Sequence, residues 1–295
     1  MYGFCDTIRI RDIQVFFEMY MSKPDRWLNS YEKDVVSQHG EDGVIEKILE
    51  VIGDVNSWCV EFGAWDGKHL SNTYNLIHHK NYSAVLIEGD EARFKDLVEA
   101  NRSNEGVVPV NAFVGASAHD GLDSILAATD IPPDFDLLSI DIDGNDYHVW
   151  TAVQESHPKA VVIEFNPTVP NPVEFVQVLD MSVNQGSSLL SMVKLGKEKN
   201  YELVAITKNN AFFVDEKYFP KFEIEDNSPD ALRSDYSDIT YIFNGYDGTV
   251  FVRGSGSLKR HHYPYKESRM QQVPRWLRQF PSNYGAFRKW ASKLY

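Results

Sequence analysis

A short apolar run that ends in an acid and breaks into a glycine turn constrains the fold of this chain more than any other stretch. Residues 58–67 read Trp-Cys-Val-Glu-Phe-Gly-Ala-Trp-Asp-Gly, so Glu61 closes the apolar run and Gly63 and Gly67 mark the turn. The helical spacing that follows predicts a helix whose N-terminus Ser71 caps. Glycine is needed where the backbone turns at positive φ or lies bare against a ligand. The stretch therefore predicts a buried strand, a tight turn and a helix.

A second apolar run, residues 84–87, ends in Glu88. An acid that closes the second strand of an α/β unit is well placed to hold the two hydroxyls of a ribose. The first turn has the spacing Glu-x-Gly-x-x-x-Gly, which lacks the third glycine of a dinucleotide pyrophosphate loop. This spacing favours an S-adenosylmethionine pocket over an NAD site.

The remaining periodicity predicts a doubly wound α/β sheet of seven strands, which is the methyltransferase variant of the Rossmann-like fold. Short spacing between the last two strands predicts an antiparallel hairpin at the sheet edge. Beyond it, a further hairpin is indicated around Tyr246-Asp-Gly-Thr249. The predicted later strands are 107–110, 135–140, 160–163, 201–206 and 211–214, and the predicted helices are 91–101, 122–128 and 188–199.

Polar residues follow the fourth and fifth predicted strands. Asp141 and Asp143 end the fourth strand, and Glu164 and Asn166 end the fifth. Ligands of doubly wound sheets lie at the carboxyl ends of the strands. Asp141, Glu164 and Asn166 offer only oxygen ligands, which suit Mg²⁺ or Mn²⁺ and resemble the metal sites of catechol-type O-methyltransferases. The alternative is that Asp143 and Asp146 cap the next helix and Glu164 only bonds neighbouring loops.

Composition narrows the class of protein. The chain has 295 residues, a net charge of −14 and two cysteines, Cys5 and Cys59, which form neither a disulfide framework nor a zinc pattern. We therefore expect a cytoplasmic protein that does not bind nucleic acid. Neither a signal peptide nor an apolar run of membrane-spanning length is present. Nothing in the sequence specifies an oligomeric state.

The charge is unevenly distributed along the chain. Residues 256–295 hold nine Lys/Arg and one Glu, a net +8, which leaves −22 on the remainder. Basic residues interleaved with aromatic ones are typical of contact with an anionic membrane surface, here the inner face of the membrane. The alternative is that these aromatic residues pack against the acidic main part of the chain.

Three regions are predicted from these patterns. Residues 1–36 form an N-terminal helical extension, with Ile13, Phe16, Phe17 and Tyr20 at helical spacing. Residues 37–215 form the cofactor-binding domain, and 216–295 form a C-terminal cap with the basic–aromatic tail. The domain begins with the polar loop 37–43, Ser-Gln-His-Gly-Glu-Asp-Gly, which either caps the helix after it or faces the active site.

With these motifs in view, residues 35–215 resemble the FkbM-type S-adenosylmethionine-dependent methyltransferases. The resemblance rests on the loop 37–43, on Val-Glu-Phe-Gly-Ala-Trp-Asp-Gly at 60–67, on Leu-Ile-Glu-Gly-Asp at 86–90, on Ser-Ile-Asp-Ile-Asp-Gly-Asn-Asp at 139–146 and on Asn200-Tyr201. The family's usual first motif is Asp-x-Gly-Ala-Asn-x-Gly, from which this chain differs at Glu61 and Trp65. Members methylate hydroxyls of sugars, glycans and natural products.

The resemblance and the strand-end pattern together imply an O-methyltransferase with a sugar or glycan acceptor, either free, nucleotide-linked or part of a surface polysaccharide. The residues expected to bind the cofactor are Glu61, Gly63, Ala64, Gly67, Glu88, Asp90, Phe113 and Asp141. His39 is the first choice for the general base, ahead of His69 and His148, and Asp143 is either a base or a reserve metal ligand. A bound divalent ion would orient the acceptor hydroxyl and lower its pKa. The alternatives are a degenerate methyltransferase fold that only binds, and an NAD-dependent oxidoreductase.

Overall fold

The computed structural model describes residues 25–294, and its centre is a seven-stranded sheet with the strand order β3-β2-β1-β4-β5-β7-β6. The strands β1 to β5 pair in parallel, whereas β7 runs antiparallel to both β5 and β6. This order is that of the class I methyltransferase fold and confirms the predicted fold class. The strands are β1 (Trp58–Phe62), β2 (Ser83–Glu88), β3 (Val107–Asn111), β4 (Leu137–Ile140), β5 (Ala160–Glu164), β6 (Tyr201–Ile206) and β7 (Asn210–Asp215).

Helices connect the parallel strands, as a doubly wound sheet requires. The helices in the described part of the chain are α1 (Glu41–Ile52), α2 (Tyr74–His79), α3 (Glu91–Asn101), α4 (Leu122–Leu126), α5 (Asp146–Ala152), α6 (Leu189–Glu198), α7 (Pro229–Leu232) and α8 (Ala286–Ala291). Short 3₁₀ segments cover Trp27–Tyr31, Phe219–Phe222, Glu267–Arg269, Arg275–Leu277 and Pro281–Asn283. The strands β1, β2, β4 and β5 are buried almost throughout, which explains their continuous apolar runs.

The first helix after β1 begins later than the sequence predicts. Thr73 occupies the N-cap position of α2 and its side chain makes no capping hydrogen bond. Ser71 still supplies the acceptor, since its Oγ accepts the N–H groups of Thr73 at 3.2 Å and Tyr74 at 3.0 Å. The loop is therefore fixed by a side chain three residues before the first residue of the helix, and it follows Leu70, whose backbone is left-handed (φ 59°).

A buried ion pair joins the strands at the edge opposite their carboxyl ends. Lys159 Nζ lies 2.8 Å from Asp136 Oδ1, and both side chains are almost fully buried. Asp136 also accepts the backbone N–H groups of Asn56 and Ser57. The carboxylate thus ties the amino ends of β1, β4 and β5 together, and its charge is compensated on several sides.

The N-terminal extension lies mostly outside the described residues, including Cys5 and the stripe of Ile13, Phe16, Phe17 and Tyr20. Its last part is a 3₁₀ turn whose Trp27 Nε1 donates to the Phe222 carbonyl at 3.0 Å. Cys59 is a buried free thiol. Among residues 25–294, none of the helices is both long enough and apolar enough to cross a bilayer.

The C-terminal region adds the predicted hairpin, β8 (Thr240–Asn244) with β9 (Val250–Gly254), as a separate two-stranded sheet. The expectation that the aromatic residues of the tail pack on the acidic part of the chain is wrong. Leu277 and Ala291 are buried, but Trp276, Phe280, Phe287 and Trp290 remain exposed. The basic residues that do reach the main domain come from the start of this tail instead.

Candidate functional site

A cavity of about 930 Å³ opens at the carboxyl edge of the parallel strands, and we call it the main cavity. Its wall includes the four acids that the sequence places at strand ends: Glu61, Glu88, Asp141 and Glu164. They meet because parallel strands deliver their last residues to one edge of the sheet. The volume lies within the roughly 300–1,000 Å³ of small-molecule sites.

Glu61 fixes the loop that follows β1. Its Oε2 accepts the hydroxyls of Ser71 at 2.5 Å and Thr73 at 2.7 Å, and its Oε1 accepts the backbone N–H of Asn72 at 2.8 Å. Burial raises the pKa of Glu61, while these three donors lower it again. Glu61 therefore holds the floor of the main cavity in shape as well as lining it.

The turn after β1 adopts left-handed backbone at three positions: Gly63 (φ 71°), Trp65 (φ 49°) and Gly67 (φ 73°). A Cβ on Gly63 would lie 2.6 Å from the backbone oxygen of Asp141, so only glycine lets the two loops approach this closely. Gly63 and Ala64 line the main cavity, whereas Gly67 faces the side chains of Leu97 and Asn101 on α3.

Trp65 is one of the two residues, with Glu61, at which the chain differs from the FkbM motif. A left-handed conformation suits asparagine, the residue usual at this position in that family, and is rare for a bulky side chain. The indole nevertheless lies on the cavity wall, with the Arg93 guanidinium 4.2 Å from its ring centroid and the His69 ring at 4.7 Å. A bulky residue kept in a strained left-handed backbone conformation is typical of functional sites.

Glu88 joins the loops after β1 and β2. Its two oxygens accept the backbone N–H groups of Trp65 at 2.9 Å and Asp90 at 2.7 Å. Each carboxylate oxygen keeps a second lone pair for a ligand. Asp90 lies outside the cavity wall, because its carboxylate caps α3 by accepting the N–H groups of Ala92 and Arg93.

Phe113 follows β3 and is 73% exposed to the main cavity and solvent. Its ring covers Gly89, where an added Cβ would come within 2.3 Å of Cδ1. A ring this exposed is not part of the core and is free to contact a ligand. It forms an apolar wall on the same side as Glu88.

A second pocket of about 460 Å³ adjoins the main cavity, and we call it the lateral pocket. The two share Asp143, Glu164, Asp238, Ser257, Lys259 and Arg260. The rest of the lateral wall is rich in amides and hydroxyls: Asn166, Thr168, Asn184, Gln185, Thr240 and Tyr265. The pocket therefore presents many hydrogen-bonding groups to whatever enters beside the main cavity.

An acid cluster stands at the junction of the two spaces. Carboxylate oxygens of Asp141, Asp143 and Glu164 lie within 4.8 Å of one another. Arg260 is carried in from the C-terminal region, and its Nη2 lies 2.7 Å from Asp143 Oδ1 and 3.3 Å from Glu164 Oε1. The guanidinium supplies the counter-charge for this cluster.

Of the predicted metal ligands, Asp141 and Glu164 lie together with the reserve ligand Asp143, whereas Asn166 does not join them. Asn166 Oδ1 already accepts the N–H of Thr168 at 2.9 Å and its hydroxyl at 2.7 Å, and Asn166 lines the lateral pocket. Arg260 occupies the side of the cluster that Asp143 and Glu164 face. The combination of Asp141, Glu164 and Asn166 therefore does not fit a divalent ion in this arrangement.

Two of the acids hold protons more strongly than usual. Burial, followed by the charges of Asp146 and Asp143, raises the pKa of Glu164 to about 7, although Asn209 and Arg260 oppose the rise. Asp141 opens into the main cavity but is enclosed by protein on its other sides, and this enclosure together with the charge of Glu164 raises its pKa well above the usual value. A carboxyl group with a pKa near 7 is suited to general base catalysis.

The loop 37–43 faces the main cavity, and its capping of α1 is limited to Ser37, whose Oγ accepts the N–H of Asp42 at 3.2 Å, because the N-cap residue Gly40 makes no side-chain capping bond. Asp42 Oδ2 accepts three consecutive backbone N–H groups of residues 35–37, and Glu41 Oε2 accepts those of Gln38 and His39. Gln38 and His39 line the main cavity. No hydrogen bond from the described residues orients the His39 ring. His148 instead bonds the Gln177 carbonyl at 2.8 Å.

Sequence reasoning missed two contributors. The turn between β6 and β7 brings Lys208 and Asn209 to the main cavity, and Asn209 Nδ2 donates to Glu164 at 3.2 Å. Because β7 lies antiparallel beside β5, this turn must sit at the carboxyl end of β5, and the polar Thr-Lys-Asn-Asn at 207–210 marks it. Lys259 and Arg260 lie about 96 residues beyond Glu164, and no local pattern connects them to it.

No protein-family model matches the sequence, and neither does any curated protein. Solved structures with a similar fold include the N-terminal domain of EvdMO1 in the presence of S-adenosylhomocysteine and D-fucose (10% identity, 72% of this chain and 97% of that one, TM-score 0.39). Another is the glycopeptide N-methyltransferase MtfA complexed with sinefungin (10%, 60% and 93%, TM-score 0.37). A third is a sarcosine dimethylglycine methyltransferase homologue from Galdieria sulphuraria (12%, 65% and 74%, TM-score 0.37). Similarity at this level identifies neither a family nor a substrate.

Proposed function

We propose that this chain is an S-adenosylmethionine-dependent O-methyltransferase of the FkbM type that acts on a hydroxyl of a sugar, glycan or related compound. The observation that carries the proposal is the meeting of Glu61, Glu88, Asp141 and Glu164 in one cavity that opens directly into a polar lateral pocket. One space has the size and the acids for a nucleoside cofactor, and the other has the groups for a hydroxyl-rich acceptor.

The main cavity fits the cofactor at three points. Gly63 and Ala64 offer bare backbone to the amino-acid end, Glu88 offers free lone pairs to the ribose hydroxyls, and Phe113 offers an apolar face to the adenine. S-Adenosylmethionine, when bound, supplies an electrophilic methyl group. The contribution of Glu61 is to hold the loop of Ser71 and Thr73, and Gly67 and Asp90 act only through the shape of the two loops.

The lateral pocket supports a polyhydroxylated acceptor. Amide side chains such as Asn184 and Gln185 donate and accept hydrogen bonds at once, which matches the hydroxyls of a sugar. Lys259 and His261 on the same wall are compatible with an acceptor that also bears a phosphate, such as a nucleotide-linked sugar. The pocket adjoins Glu164, so a hydroxyl bound in it stands next to a proton acceptor.

We assign the proton transfer to Glu164, assisted by Asp141. The pKa of about 7 allows Glu164 to be ionised in the resting enzyme and still take the hydroxyl proton as the carbon–oxygen bond forms. Asp143 is engaged by Arg260 at 2.7 Å, and the His39 ring lacks an orienting partner among residues 25–294. Both were expected as bases, and both are less suited to the role than Glu164. The proposed mechanism assigns the proton to Glu164 and the counter-charge to Arg260, so it routes no step through a metal.

Calorimetric binding tests the cofactor assignment. S-Adenosylmethionine and S-adenosylhomocysteine should bind, NAD should not, and Glu88→Gln should weaken binding of S-adenosylhomocysteine at least about tenfold because the charge facing the ribose is lost. Glu91→Gln, at an exposed position three residues along the chain, is the matched control. Binding of NAD alone would establish an oxidoreductase instead.

Transfer of a labelled methyl group to a panel of sugars, nucleotide sugars and polysaccharide fragments tests the reaction. The expected product carries the label as an O-methyl ether. A protein that binds the cofactor but transfers no methyl group to any member of the panel would instead be a binding module on a methyltransferase fold. Treatment with EDTA followed by Mn²⁺ should leave the rate unchanged, and a rate that requires Mn²⁺ would contradict the metal-free mechanism.

A further inference from the structure

Three aromatic rings form an exposed patch near the C-terminus, and we call Trp276, Phe287 and Trp290 the aromatic patch. They are 44%, 68% and 60% exposed. The Phe287 ring lies 5.9 Å from that of Trp276 and 6.0 Å from that of Trp290. Together they leave roughly 300–400 Å² of aromatic surface in water, taking 150–250 Å² for each ring. A contiguous patch of that size often marks an interaction surface.

Unpaired cations flank the residues of the aromatic patch in the sequence. Residues 268–295 hold six Lys/Arg and no Asp/Glu. Arg275, Lys289 and Lys293 are exposed, and none pairs with a carboxylate in the part of the chain that the structure describes. This differs from the start of the tail, where Lys259 pairs with Asp238 and Arg260 with Asp143. The charges beside the patch are therefore available to an external anionic partner.

The tail holds the patch in a defined arrangement. Leu277 is buried, and its carbonyl accepts the Tyr284 hydroxyl at 2.6 Å. Arg278 Nε donates to the Val273 carbonyl at 2.8 Å, and Ala291 of α8 is buried. Buried side chains and hydrogen bonds therefore hold the segment that carries the exposed rings.

We propose that the aromatic patch and its cations bind the surface of an anionic lipid bilayer. Tryptophan and phenylalanine favour the boundary between headgroups and acyl chains, and Lys and Arg favour the negative surface potential above it. The remaining chain, with a net charge of −22, is repelled by the same surface, so contact is confined to the tail. This confinement fixes the orientation of the molecule on the bilayer. The proposal is independent of methyl transfer.

A second copy of the chain is the competing partner, because its acidic domain would also attract the tail. A bilayer is favoured because it meets both requirements of the surface at once, apolar depth for the rings and negative charge for the cations. Contact with the acidic domain of a second copy would pair the cations with carboxylates, but it would leave the three rings without an apolar partner.

Co-sedimentation of the full chain with phosphatidylcholine vesicles, with and without phosphatidylglycerol, tests the proposal. We expect binding only to vesicles that contain phosphatidylglycerol, with loss of binding as ionic strength rises. The double variant Trp276→Ala/Trp290→Ala should bind at least about tenfold more weakly. Its melting temperature should stay close to that of the wild type, because neither ring is buried in the core.

Charge variants test whether binding depends on the cations beside the aromatic patch or on any exposed cation of the chain. Arg275→Gln/Lys289→Gln/Lys293→Gln should weaken binding at least about tenfold, because each of these cations is attracted to the anionic headgroups. Lys95→Gln/Arg102→Gln removes two exposed cations of α3 and should change the affinity less than about twofold.

Three results would overturn the proposal. The first is absence of binding to phosphatidylglycerol vesicles, and the second is equal binding to neutral vesicles. The third is sedimentation velocity that shows a dimer in the absence of lipid, which the aromatic variant dissociates. Failure of the methyltransferase assignment would appear in the cofactor-binding experiment and would leave all of these measurements unaffected.

Discussion

Replacing Glu164 with glutamine should make the folded protein more stable at alkaline pH while removing activity. Glu164 is buried beside two other carboxylates, and its pKa of about 7 lies above the ordinary value of 4.5. The gap of about 2.5 pH units, at 1.36 kcal/mol per unit, corresponds to about 3 kcal/mol. This figure already includes the favourable charge of Arg260. Because Asp141 shares the proton and water enters the cavity, we expect about 1–3 kcal/mol.

The pH dependence follows from the sign of the shift. The folded protein binds the Glu164 proton more tightly than the unfolded chain, so wild-type stability falls as pH rises from about 4.5 to about 7. At pH 8 the protein carries the full loss of folding free energy caused by ionising Glu164, and at pH 5 it carries only about a quarter of that loss. Glutamine keeps the shape and can still accept from Asn209, and it carries no charge at either pH.

Urea unfolding of the ligand-free protein at pH 8 and pH 5 measures this difference. Glu164→Gln should gain stability mainly at pH 8, and Glu99→Gln, at an exposed position on α3, should change it by less than about 0.5 kcal/mol at both. The same Glu164 variant should lose about 10²- to 10⁴-fold in turnover. An equal effect at the two pH values, or full turnover in the variant, would refute the assignment.

Three further outcomes follow from the site and its support. Arg260→Met removes the cation that lowers the pKa of Glu164, so the acidic limb of the pH profile of kcat/KM should move up by roughly 0.5–1 pH unit. Arg260→Lys keeps the charge and should restore the wild-type position of the limb, and a limb that does not move in Arg260→Met would contradict the role of Arg260. Gly63→Ala should destabilise the fold by about 1–3 kcal/mol in thermal unfolding and abolish cofactor binding, because the added Cβ would collide with the backbone oxygen of Asp141 after β4. Normal cofactor binding by this variant would contradict the proposed role of the turn. Asp136→Ala should cost about 3–5 kcal/mol in urea unfolding, because it leaves Lys159 buried without a partner; a loss below about 1 kcal/mol would show that the pair is solvated.

The sheet was predictable because its strands are buried on both faces. Continuous apolar runs leave few alternatives to a parallel strand, and β6 begins and ends where the pattern predicts. The other strands extend at most a residue or two beyond the predicted bounds. The exception is β4, which begins two residues later than predicted, after Asp136 and its ion pair. The placing of Glu61, Glu88, Asp141 and Glu164 on one edge follows from topology alone.

Individual side chains were less predictable because short polar residues bond their own backbone. Asp90 and Asn166 sit at strand ends, as ligands would, yet Asp90 caps α3 and Asn166 holds the turn at Thr168. The sequence offers the same residue types for both roles. Only the positions of neighbouring N–H groups decide between them, and these depend on loop conformation.

The C-terminal region limits prediction for a different reason. Arg260 reaches Asp143 across more than a hundred residues, and its contact depends on how the hairpin of β8 and β9 is seated rather than on any periodic pattern. The acid cluster would be strongly self-repelling without that cation, since Glu164 and Asp141 already hold protons more tightly than usual. The region that looked like an appendage is therefore electrostatically part of the candidate site. The basic tail, residues 256–295, contains both Arg260, which completes the acid cluster, and the aromatic patch. The proposed membrane contact at Trp290 and the charge balance at Glu164 therefore depend on one stretch of chain.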